Sequence, residues 1–202
     1  MAKPISEACL RNQQPIADAL KRLFNKGDYS DQIKVLEIGS GTGQHAVFCA
    51  QQLSHLIWQP SDLFENHAGM LQWIEEAQLA NVLSPLILNV DQDWPTIAAD
   101  HVFTANTVHY ITDQSVNNMF AKVSRTLPHK GLFIIYGPVN EHGQFTSEGN
   151  AGLDEWLKTC VNPLAGIKDL AEIVRMAKNH HLVLMDNLAL PANNRLLVLQ
   201  KS

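Results

Sequence analysis

The chain has 202 residues, 15 Lys and Arg against 20 Asp and Glu for a formal net charge of −5, with 46% hydrophobic and 17% charged residues. That balance buries one continuous core and excludes a disordered, collagenous or wholly coiled-coil chain. A mildly acidic surface without basic runs argues against phosphate-backbone binding, a local patch at Lys122, Arg125, His129 and Lys130 aside, so the expected partner is a small molecule rather than a nucleic acid. Apolar stretches such as Leu132 to Tyr136 fall far short of the roughly 20 residues that cross a bilayer. Residues 1–10 carry Pro4 and Glu7 and no apolar signal region, so a cytoplasmic location is expected and no membrane partner. Cys9, Cys49 and Cys160 are too widely spaced for a disulfide framework or a metal pair and read as reduced thiols. Nothing in the chain signals an oligomeric state.

Taken in chain order, Pro15 suits the first position of a helix running through Lys26, with Gly27 as its exit, so residues 1–30 are expected to form an N-terminal helical cover. Strand-length apolar bursts follow at Ile33 to Ile38, His55 to Gln59, Leu86 to Val90, His101 to Ala105 and Leu132 to Tyr136. Between the last two, Val116, Met119, Phe120, Val123 and Leu127 mark one face of a helix. A long glycine-rich connection over residues 137–165 reads as a substrate loop or lid, and Ile167, Leu170, Val174 and Ala177 mark a further helix. Leu182 to Met185 and Leu196 to Leu199 are too close for a crossover and should pair as an antiparallel hairpin. The whole chain is predicted to be one α/β domain: a doubly wound, mostly parallel seven-stranded sheet ending in that hairpin.

The chemistry gathers at the first strand. Val35-Leu36-Glu37-Ile38 runs into Gly39-Ser40-Gly41-Thr42-Gly43 and then into an amphipathic helix, an arrangement that lets a ligand approach the backbone and offers it free N–H groups. Asp62, after the second strand, stands where a carboxylate accepts a ribose diol. Gly41 to Ala46 satisfies G-x-G-x-x-A, so spacing alone admits a nicotinamide dinucleotide. Glu37, two residues before Gly39, would repel a pyrophosphate and suits a cationic ligand such as the ammonium end of S-adenosylmethionine. The terminal hairpin and the lack of room for a separate substrate domain also disfavour a dehydrogenase.

An acid, one residue, then G-x-G-x-G at the end of the first strand resembles the signature of the class I S-adenosylmethionine-dependent methyltransferases, which have a Rossmann-like fold. Arg11-Asn12 with Pro15-Ile16, Gly41 to Ala46, Trp58-Gln59-Pro60-Ser61-Asp62, Tyr136-Gly137-Pro138 and Pro191-Ala192-Asn193-Asn194 resemble the subfamily related to methyltransferase-like protein twenty-six, whose substrate is unassigned. The resemblance implies that Glu37 orients the methionine ammonium, that Gly39, Ser40, Gly41, Thr42 and Gly43 pack under methionine and ribose, and that Asp62 holds the ribose hydroxyls. It further implies that Asn89 and Val90, ending the third strand, flank the adenine, with Leu63 and Asn106 completing the set. The pattern departs from the subfamily at Asn89, where Asp is usual, and at Val161-Asn162-Pro163 and Ala165, so no acceptor site near 158–168 is carried over.

His109, in Ala105-Asn106-Thr107-Val108-His109-Tyr110, is the candidate general base, set against a core histidine satisfied by a carbonyl. Arg11, Asn12, Tyr136, Asn140, Asn150, Asn193 and Asn194 are candidate acceptor-binding groups, although each asparagine alone suits a turn and Arg11 and Asn12 could simply cap the cover. His180-His181 and Asp91 with Asp93 lack metal-ligand spacing, so no metal is expected, and Trp73 and Trp156 read as packing groups. The expected activity is methyl transfer from S-adenosylmethionine, leaving S-adenosylhomocysteine, to O, N or S of a small or medium-sized acceptor. The alternatives are a non-catalytic cofactor- and partner-binding module of the same fold and an NAD-dependent oxidoreductase.

Overall fold

The computed structural model describes residues 3–25 and 32–202. In chain order the elements are α1 (Glu7–Leu23), β1 (Ile33–Ile38), α2 (Gln44–Gln52), β2 (Leu56–Asp62), α3 (His67–Ala77), β3 (Leu86–Ile87), β4 (His101–Ala105), α4 (Asp113–Thr126), β5 (Leu132–Pro138), α5 (Glu148–Trp156), α6 (Leu170–Asn179), β6 (Leu182–Leu190) and β7 (Asn194–Lys201). The strands form a seven-stranded sheet in the order β3-β2-β1-β4-β5-β7-β6. β1 and β2 pair in parallel, as do β2 and β3, while β7 is antiparallel to both β5 and β6. The α/β class, the mostly parallel sheet and the antiparallel terminal hairpin are as the sequence predicts. The chain divides into two compact units, one within Met1–Asn89 with Ala98–Phe103, the other Val90–Ile97 with Thr104–Ser202.

In the first unit α1 begins at Glu7, not at Pro15. Ser6 is its N-cap, its hydroxyl accepting from the Cys9 N–H, and Glu7 complements the helix dipole, while Pro15 lies inside the helix. Pro15 removes the donor that would reach the Arg11 carbonyl; Arg11 is exposed, so water can take that carbonyl and the helix continues. The buried face of α1, including Ile16, Ala17 and Leu20, packs against α2. Lys26 and Gly27 lie outside the described residues. β3 is only two residues long, because beyond Ile87 the chain leaves the ladder after Leu88 donates to the Asp62 carbonyl. Asn89 and Val90 therefore follow the strand rather than end it.

In the second unit α4 buries Val116, Met119, Phe120 and Val123, with Leu127 at its exit, the face read from the sequence. The stretch expected as an open loop holds α5, capped by the Ser147 hydroxyl on the Asn150 N–H, and a π-helical turn over Leu157–Val161. α6 starts at Leu170 behind an Asp169 cap and buries Ile173, Met176 and Ala177 rather than Val174. β6 runs well past Met185, absorbing Asp186 and Asn187 through a bulge between Leu184 and Asp186.

Pro191, Ala192 and Asn193 connect β6 to β7, and Ala192 (φ 59°) and Asn193 (φ 56°) are both left-handed, the backbone that matches hairpin twist. Asn tolerates that conformation, whereas alanine is strained there by about 1 kcal/mol. Ala192→Asn should therefore raise the unfolding free energy by roughly 0.5 kcal/mol, and Asn193→Val should lower it by about 1 kcal/mol or more. Equilibrium urea unfolding checks both.

Candidate active site

β1 delivers Glu37 to the end of the sheet, and the chain then turns through Gly39–Gly43 into α2. Gly43 is the α2 N-cap at φ +85°, and a Cβ there would lie 2.8 Å from Met70 Cγ, so only glycine fits. Gly41 is also left-handed, yet a Cβ there would meet nothing within 4 Å, which leaves open space over the loop. The loop is stitched to β2: the Ser40 N–H donates to the Ser61 carbonyl, the Ser61 N–H to Ser40 Oγ, and Ser61 Oγ to the Glu37 carbonyl.

Glu37 is 1% exposed. Its Oε2 accepts from Trp58 Nε1 at 2.9 Å, while its Oε1 is buried with no partner. Burial pushes its carboxyl up to about 7, with Asp62 adding to the rise and hydrogen bonds from Trp58 and Ser40 opposing it. A buried carboxylate with one oxygen left without a geometrically sound partner is an incomplete site, and a cation with N–H donors would complete it.

Asp62 is less free than a ribose ligand would ideally be. Oδ2 accepts the Gly41 N–H at 2.6 Å, and Oδ1 accepts the Leu63 N–H at 2.7 Å and Asn66 Nδ2 at 2.8 Å. Of the roughly four acceptor positions of a carboxylate, one remains on Oδ2. Asp62 thus ties the glycine loop down and has capacity for one more donor, a structural role that the spacing did not reveal. Leu63, partly exposed, follows it, and Asn89 is half-buried beyond β3.

Asn12 is not available to an acceptor. It is buried, and its Oδ1 lies 2.7 Å from His45 Nε2; His45 in turn sits 3.8 Å from Cys9 Sγ through Nδ1. Burial holds His45 down to about 4, so it is neutral and its Nε2–H serves Asn12. Gln44 is likewise buried: its Oε1 accepts from the Ser6 N–H at 2.6 Å and from Thr42 Oγ1 at 2.9 Å. Gln44 and His45 do not stand among the candidate residues read from the sequence, even though they fill the motif after Gly43. The N-terminal segment is fastened as well to α3, with Trp73 Nε1 donating to the Pro4 carbonyl and Lys3 lying over the Trp73 ring.

In the second unit Asn106 is left-handed at φ 55° and donates its N–H to the Tyr136 carbonyl. The carbonyl of Val90 accepts from Lys122 Nζ. His109 is 4% exposed, and its carbonyl accepts the Gly166 N–H. Gly137 leaves room for its ring, since a Cβ there would lie 3.5 Å from Nδ1. Burial, and secondarily the charge of Lys168, holds His109 down to about 4, so it is neutral near pH 7 and able to accept a proton. His109, Tyr136, Gly137 and Arg195 line one small cavity. Tyr110 packs on His109 at 5.0 Å between ring centroids and meets Trp156 edge-on at 6.4 Å. Trp156 is 46% exposed and Tyr110 41%, so Trp156 is a surface aromatic and not the packing group expected.

The asparagines divide otherwise. Asn140 bonds the stretch before α6, its N–H donating to the Lys168 carbonyl and its Nδ2 to that of Ile167. Asn150 lies in the first turn of α5 and donates to Thr146 Oγ1. Asn193 and Asn194 form the hairpin turn and the first residue of β7. None of these four lines the His109 cavity. Asp91 accepts from Ser115 Oγ and Asn118 Nδ2 at the start of α4, so it anchors that helix.

The buried titrating groups set the pH response of the unliganded protein. His45, His101 and His109 are each lowered by burial from 6.5 to about 4, so each adds stability that is complete above pH 6.5 and lost as pH falls through 4. Glu37, raised from 4.5 to about 7, acts in reverse, its contribution complete below pH 4.5 and lost as pH rises through 7. Three histidines less one carboxyl leave a net uptake of about two protons on unfolding between pH 4.5 and 6.5. Stability should therefore rise with pH across that window, and urea unfolding at pH 5.0 and 6.5 checks it; a flat or inverted profile would show that the histidines are hydrated.

Comparison with solved structures places this fold among methyltransferases. An O-methyltransferase family protein from Burkholderia thailandensis matches with a TM-score of 0.82 at 18% identity, over 97% of this chain and 58% of that one. An O-methyltransferase family 2 protein from Planctomyces limnophilus, in complex with apigenin, matches with a TM-score of 0.75 at 16% identity, over 84% of this chain and 51% of that one. An O-methyltransferase from neocarzinostatin biosynthesis, in complex with S-adenosylmethionine and 2-hydroxy-5-methyl naphthoic acid, matches with a TM-score of 0.72 at 13% identity, over 94% of this chain and 56% of that one. The chain spans a little over half the length of these proteins. A model of the family described as "Protein of unknown function (DUF938)" matches residues 3–201, and the chain belongs to that family.

Proposed function

We propose that the protein is an S-adenosylmethionine-dependent methyltransferase, of the subfamily related to methyltransferase-like protein twenty-six, acting on a small acceptor. The observation that carries this reading is the buried Glu37 carboxylate, half-satisfied by Trp58, at the mouth of an open glycine loop. It suits an ammonium and opposes a pyrophosphate, which sets the nicotinamide alternative aside. The bound donor supplies an activated methyl group on a sulfonium. Glu37 accepts from its ammonium, the Gly39–Gly43 backbone lies under it, and the remaining acceptor position on Asp62 takes one ribose hydroxyl. Asn89, Val90, Leu63 and Asn106 are assigned to the adenine side.

For the acceptor, His109 is neutral and can take the proton of a hydroxyl as the oxygen attacks. The exposed rings of Tyr110 and Trp156 beside it suit a flat aromatic molecule. The solved neighbours that hold apigenin and a hydroxynaphthoic acid favour the same class, and the acceptor is read as a small hydroxylated aromatic. The same exposed rings favour the second reading, a surface for a protein partner with no turnover.

Calorimetric titration with S-adenosylhomocysteine, and with NADH as counter-ligand, tests the cofactor. One thioether site per chain is expected, with no NADH binding. Because Glu37 sits near 7 when unliganded and must be ionised to hold an ammonium, binding at pH 6.0 should release close to one proton. The observed enthalpy should then vary with the ionisation enthalpy of the buffer. Glu37→Gln should abolish that dependence, weaken binding by roughly tenfold or more and raise the melting temperature of the unliganded protein, since it removes a buried half-paired charge. Once an acceptor is found, His109→Ala should lower kcat by about 10² or more while S-adenosylhomocysteine affinity stays within twofold. Equal loss of both would make His109 part of the scaffold.

A further inference from the structure

Two buried atoms bracket the glycine loop, and the function above uses only one of them. Before the loop, Glu37 Oε1 is an acceptor without a donor; after it, Gln44 Nε2 is a donor without an acceptor. Gln44 is 2% exposed, and its amide is aimed by its own oxygen. Both the Ser6 N–H and the Thr42 hydroxyl donate to Oε1, so the nitrogen cannot trade places with the oxygen without facing the Ser6 N–H, a second donor. The two ends of the loop share a neighbour in Cys9, whose thiol feels the charge of Glu37 and a hydrogen bond from Thr42. By contrast the other polar side chains around the loop, Ser40, Ser61, Asp62, Asn12 and His45, each have a hydrogen-bond partner.

An acceptor carboxylate at one end and an orphaned amide donor at the other describe a ligand that presents both a cation and an anion to the loop. A phosphate would leave Glu37 repelled, and a simple amine would leave Gln44 without an acceptor. An α-amino acid group satisfies both. Resting on the methyl-donor reading above, we propose that Gln44 binds the α-carboxylate of the methionine end through its Nε2–H, as the counterpart of Glu37 on the ammonium. Ser6 is then a positioning residue. Its backbone N–H holds the Gln44 amide in the donating orientation, so the N-terminal segment belongs to the donor site without touching the ligand.

The test separates Gln44 from the rest of the pocket by removing pieces of the ligand. Wild type, Gln44→Glu and Gln44→Met are titrated by calorimetry with S-adenosylhomocysteine, with its decarboxylated amine, and with 5′-methylthioadenosine, which lacks the whole amino acid end. Gln44→Glu keeps the oxygen that Ser6 and Thr42 bind but turns the donor into an acceptor and adds a negative charge; Gln44→Met keeps the volume without charge or donor, and a thermal melt of each variant reports its folding. Wild type should prefer S-adenosylhomocysteine to the decarboxylated amine by about tenfold or more, the scale of one hydrogen bond to a charged group. Both variants should lose that preference, and binding of 5′-methylthioadenosine should stay within twofold. A preference that survives in both variants, or all three ligands weakened alike, overturns the assignment and leaves Gln44 a structural tie. If wild type binds none of the three, the methyl-donor reading itself fails; if it binds all three equally, that reading stands and the carboxylate contact falls.

Discussion

A carboxylate set inside a protein at a strand end, with one oxygen unpartnered and no ion pair among the described residues, is the constraint around which the first unit is arranged. Raising Glu37 from 4.5 to about 7 corresponds to roughly 3 kcal/mol against its ionised form. The fold meets that cost with Trp58, itself fully buried on the neighbouring strand and edge-on to Phe103, so the indole is held where its N–H can serve Oε2. Replacing Glu37 by an uncharged side chain of the same size would remove that cost. A cation bound at the mouth of the glycine loop, as in the proposed site, would discharge it.

The loop beside Glu37 is held more firmly than a flexible glycine turn would be. Its backbone is bonded to Ser61 and to the Asp62 carboxylate, and Met70 closes one side of Gly43. Preformed N–H groups lose little freedom when a ligand arrives, which favours affinity over adaptability. Asp62 is therefore part of the support of the loop, and in the proposed site it would hold a ribose hydroxyl as well, so its substitution disturbs loop geometry directly. The N-terminal segment acts on the same loop from the other side through Ser6 and Gln44, and through Asn12 and His45.

How much of this was readable beforehand depends on range. β1, β4, the α4 face and the hairpin were legible because short apolar periods encode them directly, and Glu37, the glycines and Asp62 were legible because their spacing is itself the motif. The start of α1 was misplaced because Pro15 is a strong local sign, whereas Ser6 and Glu7, a cap and a first-turn acid, are a weaker pattern that outweighed it. α5 was hidden by Gly149 and Gly152, poor helix formers whose effect the Ser147 cap and later packing overcome. The partners of Asn12, Gln44 and Asp62 lie at sequence separations of 33, 38 and 21 residues, where no periodicity reports them.

The second unit poses a different problem of the same kind. Burial that keeps His109 neutral also makes it a weak base, for a group near 4 lies well below the operating pH at which proton transfer is most efficient. Two features of its surroundings act on that value. Lys168 lowers it, but Lys168 is itself paired with Asp113 at 2.8 Å, which limits the field it exerts. Desolvation is the larger cause, and it bears on the charged imidazolium alone. In the proposed methyl transfer the sulfonium would be discharged as the carbon–sulfur bond breaks, and a base would have to accept the proton only late, once the acceptor oxygen has become acidic by bonding to carbon. A weak, uncharged and sterically fixed imidazole such as His109 would meet that requirement, whereas a stronger base carrying a proton of its own at neutral pH would not.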